Sequence, residues 1–192
     1  MTPHTPIMRA VVAGLLLLLA GCAPFVLASG RQSLSEYGFE VTVPDGWYRA
    51  MRGEASEALV VTRDGLALQQ ILIWRAPVDT ELKYTKRRFD EKLPPHELAE
   101  ITLDNMRSDP QVNDFAVEEN VPVTICGKQG YKVVYTWAVE GGYRLKRVHY
   151  GLLDGKWVYQ LVYQASARHY FDRDLAAFEQ MRESFRLTAT PA

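Results

Sequence analysis

The chain has 192 residues, and its 22 lysines and arginines nearly balance its 23 aspartates and glutamates, for a formal net charge of −1. This balance argues against nucleic acid as a partner, because affinity for phosphate backbones depends on clustered basic residues that release counterions. The length suits one domain whose core needs no disulfide, and the domain cysteine, Cys126, has only Cys22 as a conceivable partner.

The first 21 residues have the pattern of a secretory signal. Arg9 supplies one positive charge, and residues 10–20 form an apolar run interrupted only by Gly14. That run is too short to cross a bilayer, which takes about 20 apolar residues as a helix, and it matches the apolar region of a signal peptide. We therefore predict export and removal of residues 1–21. The alternative is an uncleaved signal anchor with an incidental cysteine.

The four residues that end this segment resemble the lipobox of bacterial lipoproteins. Leu19, Ala20, Gly21 and Cys22 match its pattern at every position. The resemblance implies cleavage between Gly21 and Cys22, a diacylglyceryl group on the Cys22 thiol and an acylated amino terminus, for example with palmitate. Two acyl chains already make membrane anchoring stable. Ala23 stands where an aspartate would signal inner-membrane retention, so the resemblance implies the periplasmic face of the outer membrane.

The chain after the cleavage site is predicted to divide into a short linker and one domain. Residues 22–36 are expected to be the lipidated cysteine and a flexible tether, whose reach as a coil is roughly 20 Å. The globular domain is expected to span residues 37–192. Alternation of apolar and polar residues over 39–43 indicates its first strand, and residues 44–46 are expected to end that strand in a turn.

Six further strands are predicted from apolar or alternating runs bounded by turn residues. They cover residues 58–63, 66–74, 115–125, 131–140, 143–153 and 157–164. Asp64-Gly65, Gly141-Gly142 and Asp154-Gly155 tolerate the positive φ angles of two-residue hairpin turns. Neighbouring strands are therefore expected to pair antiparallel.

Two segments have the period of a helix instead. Pro94-Pro95 is expected to open a helix that ends near Ser108, ahead of Pro110. The second helix carries apolar residues at spacings of three or four, which predicts a stripe packed on a sheet. The stripe consists of Phe171, Leu175, Phe178, Met181 and Phe185.

The first strand with Pro-Asp-Gly-Trp at 44–47, the antiparallel meander and the last helix with FEQMRESFR at 178–186 together resemble the PsbP/Mog superfamily. The resemblance implies an α+β fold, with an antiparallel sheet of about six to seven strands and helices packed on it. It implies core positions for Phe39, Trp47, Phe178 and Phe185. It carries no catalytic site, because members such as a photosystem II subunit, the Ran-binding Mog protein and bacterial lipoproteins do unrelated things.

The sequence offers no assembled catalytic or metal-binding motif. Ser166 and His169 are too close along the chain for a typical triad, and the HELAE motif has Glu100 where a zincin helix has its second histidine. His149 is expected to be a satisfied or solvent-facing histidine, and Cys126 a buried, unreactive thiol. We therefore predict a protein that is not an enzyme and has no metal and no cofactor.

Two predicted strands carry rows of aromatic side chains on one face. The residues considered for binding are Tyr135, Trp137, Trp157, Tyr159 and Tyr163. If the terminal helix covers these faces, the aromatic side chains belong to the core. If part of a face stays open, they form a surface for a partner or an apolar ligand.

Two hypotheses of function follow. The first is a lipid-anchored, non-catalytic envelope protein that binds or scaffolds a protein partner. The second is a carrier or sensor that holds a small ligand in an aromatic-lined pocket between sheet and helix.

Basic residues at 86–88 and 144–147 are expected to be solvated, or to contact anionic lipid head groups. A hydrolase would require Cys126, His149 or His169 to meet a carboxylate in space.

Overall fold

The computed structural model describes residues 25–51 and 58–188, so the predicted signal peptide and lipobox lie outside the described residues. The strands are β1 (Phe25–Leu34), β2 (Phe39–Ala50), β3 (Leu59–Thr62), β4 (Gln69–Pro77), β5 (Asn113–Ile125), β6 (Lys128–Ala138), β7 (Arg144–Asp154), β8 (Trp157–Ser166) and β9 (Arg186–Leu187). The helices are α1 (Pro95–Arg107) and α2 (Tyr170–Ser184).

The described strands form one antiparallel sheet in the order β1-β2-β3-β4-β8-β7-β6-β5, with β9 paired to β2. This confirms the predicted α+β class and the antiparallel hairpins. All seven predicted strands are present, and β1 and β9 bring the number in the described chain to nine. Both predicted helices are present as well, and α1 ends one residue before the predicted Ser108.

The strand β1 corrects the predicted flexible tether. It pairs with β2 from Leu34, opposite Phe39, to Phe25, opposite Ala50. Pairing covers one edge of β2, and Ala28 and Leu34 bury their side chains in the core. Small and polar residues in this segment hide the alternation that identifies the other strands, so the sequence pattern missed it.

The Pro-Asp-Gly segment at 44–46 is a bulge inside β2, which corrects the predicted end of the first strand. Ala28 lies opposite Trp47 and Gly30 lies opposite Val43, so one residue of β1 faces three residues of β2. Gly46 makes this possible with a φ of 82°, a value that side chains disfavour. The strand then continues, and its Trp47 side chain is buried in the core.

The two helices cover opposite faces of the sheet. They contact alternate residues of the same strands, and neighbouring residues of a strand point to opposite sides. The predicted stripe of α2 packs on one face, where Phe178, Met181 and Phe185 are fully buried. α1 packs on the other face, with Leu98 and Ile101 against the side chains of β6. The predicted core positions Phe39, Trp47, Phe178 and Phe185 are each at most 1% exposed.

Of the two alternatives for the aromatic rows, core or open binding surface, the structure has core at four of the five residues considered for binding, so an open surface is wrong there. Tyr135 and Trp137 lie under α1, and Tyr159 and Tyr163 lie under α2. These four side chains are each at most 5% exposed, because a helix covers each face of the sheet. Trp157 is half-buried at the start of β8, with the Arg75 guanidinium 4.0 Å from its ring centroid.

Candidate functional site

A cavity of about 370 Å³ lies between α1, the loop of residues 78–94 that precedes it, and strands β4, β7 and β8. This volume falls within the roughly 300–1,000 Å³ typical of small-molecule sites. Its lining combines aromatic, aliphatic and polar side chains. The lining residues are Trp74, Ala76, Pro77, Thr80, Glu81, Leu82, Lys83, Tyr84, Phe89, Thr102, Asn105, Met106, Arg147, His149 and Gln160.

His149 and Gln160 are buried polar residues on the sheet side of the cavity. His149 Nε2 bonds to Gln160 Oε1, and because that oxygen only accepts, Nε2 carries the proton and Nδ1 is an acceptor. The Tyr135 hydroxyl lies 3.5 Å from Nδ1 and donates to it. Burial, reinforced by the charge of Arg147, lowers the pKa of His149 to about 3. The imidazole is therefore neutral near pH 7.

Tyr131 connects the base of the cavity to α1. It faces Gly151 across the strand pair, and a Cβ at Gly151 would overlap the Tyr131 ring. The glycine therefore lets the ring lie across β7, where its hydroxyl is 2.9 Å from Thr102 Oγ1 on α1 and 3.4 Å from His149 Nε2. Burial raises the pKa of Tyr131, so its hydroxyl keeps its proton.

Arg147 lines the cavity from β7, on the same face of the strand as His149. Its guanidinium donates to Gln164 Oε1 and, over 3.1 Å, to the Tyr135 hydroxyl. It also lies 3.4 Å from the Met106 sulfur. In the described part of the chain, the hydrogen-bond partners of this half-buried cation are all uncharged.

The loop of residues 78–94 forms the outer wall of the cavity. Asn105 Oδ1 on α1 accepts hydrogen bonds from the backbone N–H groups of Tyr84 and Thr85, over 3.0 and 3.3 Å. The basic residues predicted as solvated surface pair within this region. Arg87 contacts Asp104 at 3.1 Å, and Lys86 and Arg88 contact Glu81 at 3.7 and 3.6 Å. These pairs are exposed, so each contributes little stability.

The residues considered for catalysis occupy separate places. Cys126 lies in the β5–β6 turn with a φ of 42°, and burial raises the pKa of its thiol. His169 is exposed at the start of α2, whereas His149 is buried beneath α1. His96 and Glu100 are exposed on α1. Across residues 25–51 and 58–188, no group of three or more His, Cys, Asp or Glu side chains could hold a metal ion.

The sequence pattern did not predict this cavity. Its signals were present as polar residues at inward positions of two buried strands, Arg147 and His149 in β7 and Gln160 in β8. Gly151 inside a strand was a further signal, because such a glycine often marks a close approach. Which inward polar residues face open space depends on where α1 and its loop pack, and no local pattern encodes that.

No family model matches the chain, and no curated protein matches it in sequence. Solved structures with the same fold do match. Cyanobacterial PsbP (CyanoP) from Synechocystis sp. PCC 6803 is 15% identical with a TM-score of 0.59, covering 88% of this chain and 99% of that one. LpqN of Mycobacterium tuberculosis, described as involved in cell envelope biogenesis, is 12% identical with a TM-score of 0.58, covering 79% and 83%.

The Ran-binding protein Mog1p of Saccharomyces cerevisiae is a third match, with 8% identity, a TM-score of 0.57, and coverage of 84% of this chain and 96% of that one. Identities this low establish the fold and leave function to the site. None of the helices in the described part of the chain is long and apolar enough to span a membrane. From these three structural matches, the described residues have a PsbP/Mog-like α+β fold.

Proposed function

We propose that the protein is a lipid-anchored protein of the bacterial envelope, whose domain binds a small ligand in the cavity beneath α1 without catalysing a reaction. The cavity is the observation that carries this proposal, because it joins apolar walls to a few buried, oriented polar groups. Two proteins of similar fold support separate parts of the proposal. Mog1p is named a Ran-binding protein, which agrees with a binding role, and LpqN is linked to cell envelope biogenesis, which agrees with a location in the envelope.

The polar side of the cavity suits binding better than proton transfer. The bonded partners of His149 in the described chain are the hydroxyls of Tyr131 and Tyr135 and the carboxamide of Gln160. A general base works best with a pKa near the operating pH, and the pKa of His149 is about 3. A neutral imidazole in a fixed tautomer instead orients hydrogen bonds.

Anchoring through Cys22 is supported by exposed apolar side chains at the corner of the sheet where β1 begins. Exposed apolar clusters of this kind mark contacts with proteins or membranes. Leu27 and Tyr48 lie opposite each other across the β1–β2 pair. Two residues lie between Cys22 and Phe25, the first residue of β1, so the Cα atoms of Cys22 and Phe25 are at most about 10 Å apart. The exposed residues of this corner are Val26, Leu27, Tyr48 and Met51.

Replacement of the anchoring cysteine tests the location. Cys22→Ser should leave an unprocessed precursor without lipid, because the thiol is the acylation site, and Cys126→Ser is the matched control that should mature normally. Metabolic labelling with an alkyne fatty acid and membrane fractionation measure both outcomes. Normal lipid labelling and membrane partitioning of Cys22→Ser would contradict the anchor.

Filling the cavity tests the binding function. Ala76 lines the cavity, and Ala76→Phe should occupy its space, whereas Ala116→Phe places the same side chain on the exposed face of the edge strand β5. The full chain, exposed to an envelope extract, should retain a compound of defined mass in native mass spectrometry, and Ala76→Phe should not. Thermal stabilisation should accompany retention, since ligand at a hundred times its Kd adds about 2.7 kcal/mol.

A protein partner is the alternative to a small ligand. Crosslinking in cells identifies a partner directly, and the described surface does not select one. If the wild-type chain retains no compound and crosslinking recovers one reproducible protein, the domain is a protein-binding module and the ligand proposal is wrong. Retention that is equal in the wild type and Ala76→Phe also contradicts the cavity as the site.

A further inference from the structure

We infer that the cavity selects a small organic anion, with Arg147 pairing to its acidic group and the side chains of Trp74, Tyr84 and Met106 enclosing its apolar body. The inference rests on the proposed ligand-binding function and adds the chemical class of the ligand. It follows from the charge of Arg147, from the N–H group of Arg147 that has no partner in the described chain, and from the apolar side chains that line the cavity.

The charge of Arg147 is unmatched among its neighbours. Its two basic neighbours in β7 have carboxylate partners, since Arg144 pairs with Asp114 and Lys146 pairs with Glu118. No carboxylate within the described residues lies within 4.0 Å of the Arg147 guanidinium. Partial burial of a cation is costly unless an anion compensates it. An anionic ligand would supply that compensation.

The carboxylate that lines the cavity does not replace such a ligand. Glu81 lies on the outer loop, with about half of its side chain exposed, and its two oxygens face Lys86 and Arg88. The neutral state of His149 adds no second charge at the base of the cavity. The guanidinium of Arg147 is therefore the charged group on the sheet side of the cavity that is available to a ligand.

The hydrogen bonds of Arg147 hold its guanidinium in place and leave one N–H group without a partner in the described chain. The guanidinium has five N–H groups. Two of them bond to Gln164, and the two on Nη1 face the Tyr135 hydroxyl and the weakly accepting Met106 sulfur, which leaves one N–H of Nη2 without a partner in the described chain. The ring of Trp137 lies with its centroid 5.1 Å from the central carbon of the guanidinium, a cation–π contact. The unbonded N–H of Nη2 and the Nη1 N–H that faces only the Met106 sulfur could together pair with an acidic group.

The remaining walls indicate an organic ligand with an apolar body. Trp74 is half-buried, with its ring centroid 6.0 Å from that of His149. Tyr84 and Met106 add an aromatic and a thioether surface from the loop and from α1. Such surfaces gain free energy by covering apolar groups and offer little to a bare inorganic ion.

A matched pair of probes tests the inference, namely 2-naphthoate and the neutral 2-naphthamide, which share one aromatic body. Both are titrated calorimetrically into the full chain in a non-ionic detergent. Naphthoate should bind at least about tenfold more tightly than naphthamide, because only it pairs with Arg147. Arg147→Met should remove this preference and leave naphthamide binding in place. Arg31→Met, on β1 and paired with Glu40, is the matched control that should keep the preference.

The outcomes separate this inference from the proposed function. Equal binding of the two probes, abolished by Ala76→Phe, overturns the selection of anions and leaves a ligand cavity. Failure of both probes to bind overturns the inference, and the extract experiment then decides the proposed function alone. A preference that survives in Arg147→Met also overturns it.

A second variant covers the case in which Arg147→Met does not fold. Arg147→Lys keeps the positive charge but loses the planar donor, so naphthoate should bind several-fold more weakly while naphthamide is unaffected. Cooperative thermal melting establishes that each variant is folded. An unchanged naphthoate affinity in Arg147→Lys contradicts the role of the guanidinium.

Discussion

The two faces of the sheet are filled differently. Under α2, Phe178 lies against the rings of Tyr150 and Tyr163, at centroid separations of 5.9 and 5.6 Å, in a packed apolar layer. Under α1, the same strands present Arg147 and His149 to a cavity. One tightly packed face can therefore stabilise the domain while the other keeps polar groups and open space for binding.

The largest expected effect removes an aromatic side chain from the packed face. Phe178→Ala should destabilise the protein by about 3–5 kcal/mol, because it deletes a fully buried ring and leaves a cavity among aromatic neighbours. Chemical denaturation of the full chain measures the change. Leu175→Ala, at a half-buried position of the same helix, should cost clearly less. Equal losses at the two positions would show that the α2 face is not the tightly packed one.

The next effect concerns the charged connection between α2 and the sheet. Asp174 is 1% exposed and accepts hydrogen bonds from Gln69, Arg63 and Arg173. Asp174→Asn should cost about 2 kcal/mol, since it removes the charge to which these donors are bonded. Exposed Glu183→Gln on the same helix is the control, with little expected change. A loss under about 0.5 kcal/mol at Asp174 would mean that apolar packing alone holds α2.

The effect that is smallest at neutral pH is a pH dependence that arises on the α1 face. The pKa of His149 is about 3 in the folded protein, against 6.5 for an ordinary histidine. Below pH 6.5 the unfolded chain therefore binds a proton that the folded chain excludes, and stability falls as the pH falls towards 3. The loss approaches about 1.4 kcal/mol per pH unit.

His149→Gln isolates this pH dependence, because glutamine keeps a polar side chain but does not titrate. Denaturant unfolding of the full chain between pH 7 and pH 4 should show a steeper loss of stability in the wild type than in the variant. His169→Gln, at an exposed position, is the control and should keep the wild-type slope. Identical slopes in the wild type and His149→Gln would contradict the desolvated, neutral imidazole.

Most of the fold could be predicted because its signals are local. Apolar alternation and the Asp-Gly and Gly-Gly turns identify the hairpins, and the spacing of Phe171 to Phe185 identifies α2. The strand β1 could not be found in this way, since its apolar residues are followed by small and polar ones without alternation and its pairing with β2 is a tertiary contact. The bulge at 44–46 was missed for a related reason, because Pro, Asp and Gly mark turns and bulges alike.

The candidate site was less accessible to prediction. Arg147 looked like one member of a basic group with Arg144 and Lys146, but Lys146 points to the opposite face of β7. His149 was expected to be satisfied or exposed, and its burial beside Gln160 depends on a neighbouring strand. The cavity itself depends on how the loop of residues 78–94 lies on α1, through contacts such as Asn105 with Tyr84.

The pairing of β1 with β2 changes the volume that an anchored domain could explore. If Cys22 is lipidated, the reach of the chain between the lipid and the first strand falls from the roughly 20 Å of a flexible tether to about 10 Å, because β1 begins at Phe25. Because swept volume scales with the cube of reach, the domain would be confined to about an eighth of the space. Its effective concentration toward molecules of the membrane surface would rise by the same factor, so in a lipidated protein β1 would keep the domain close to that surface.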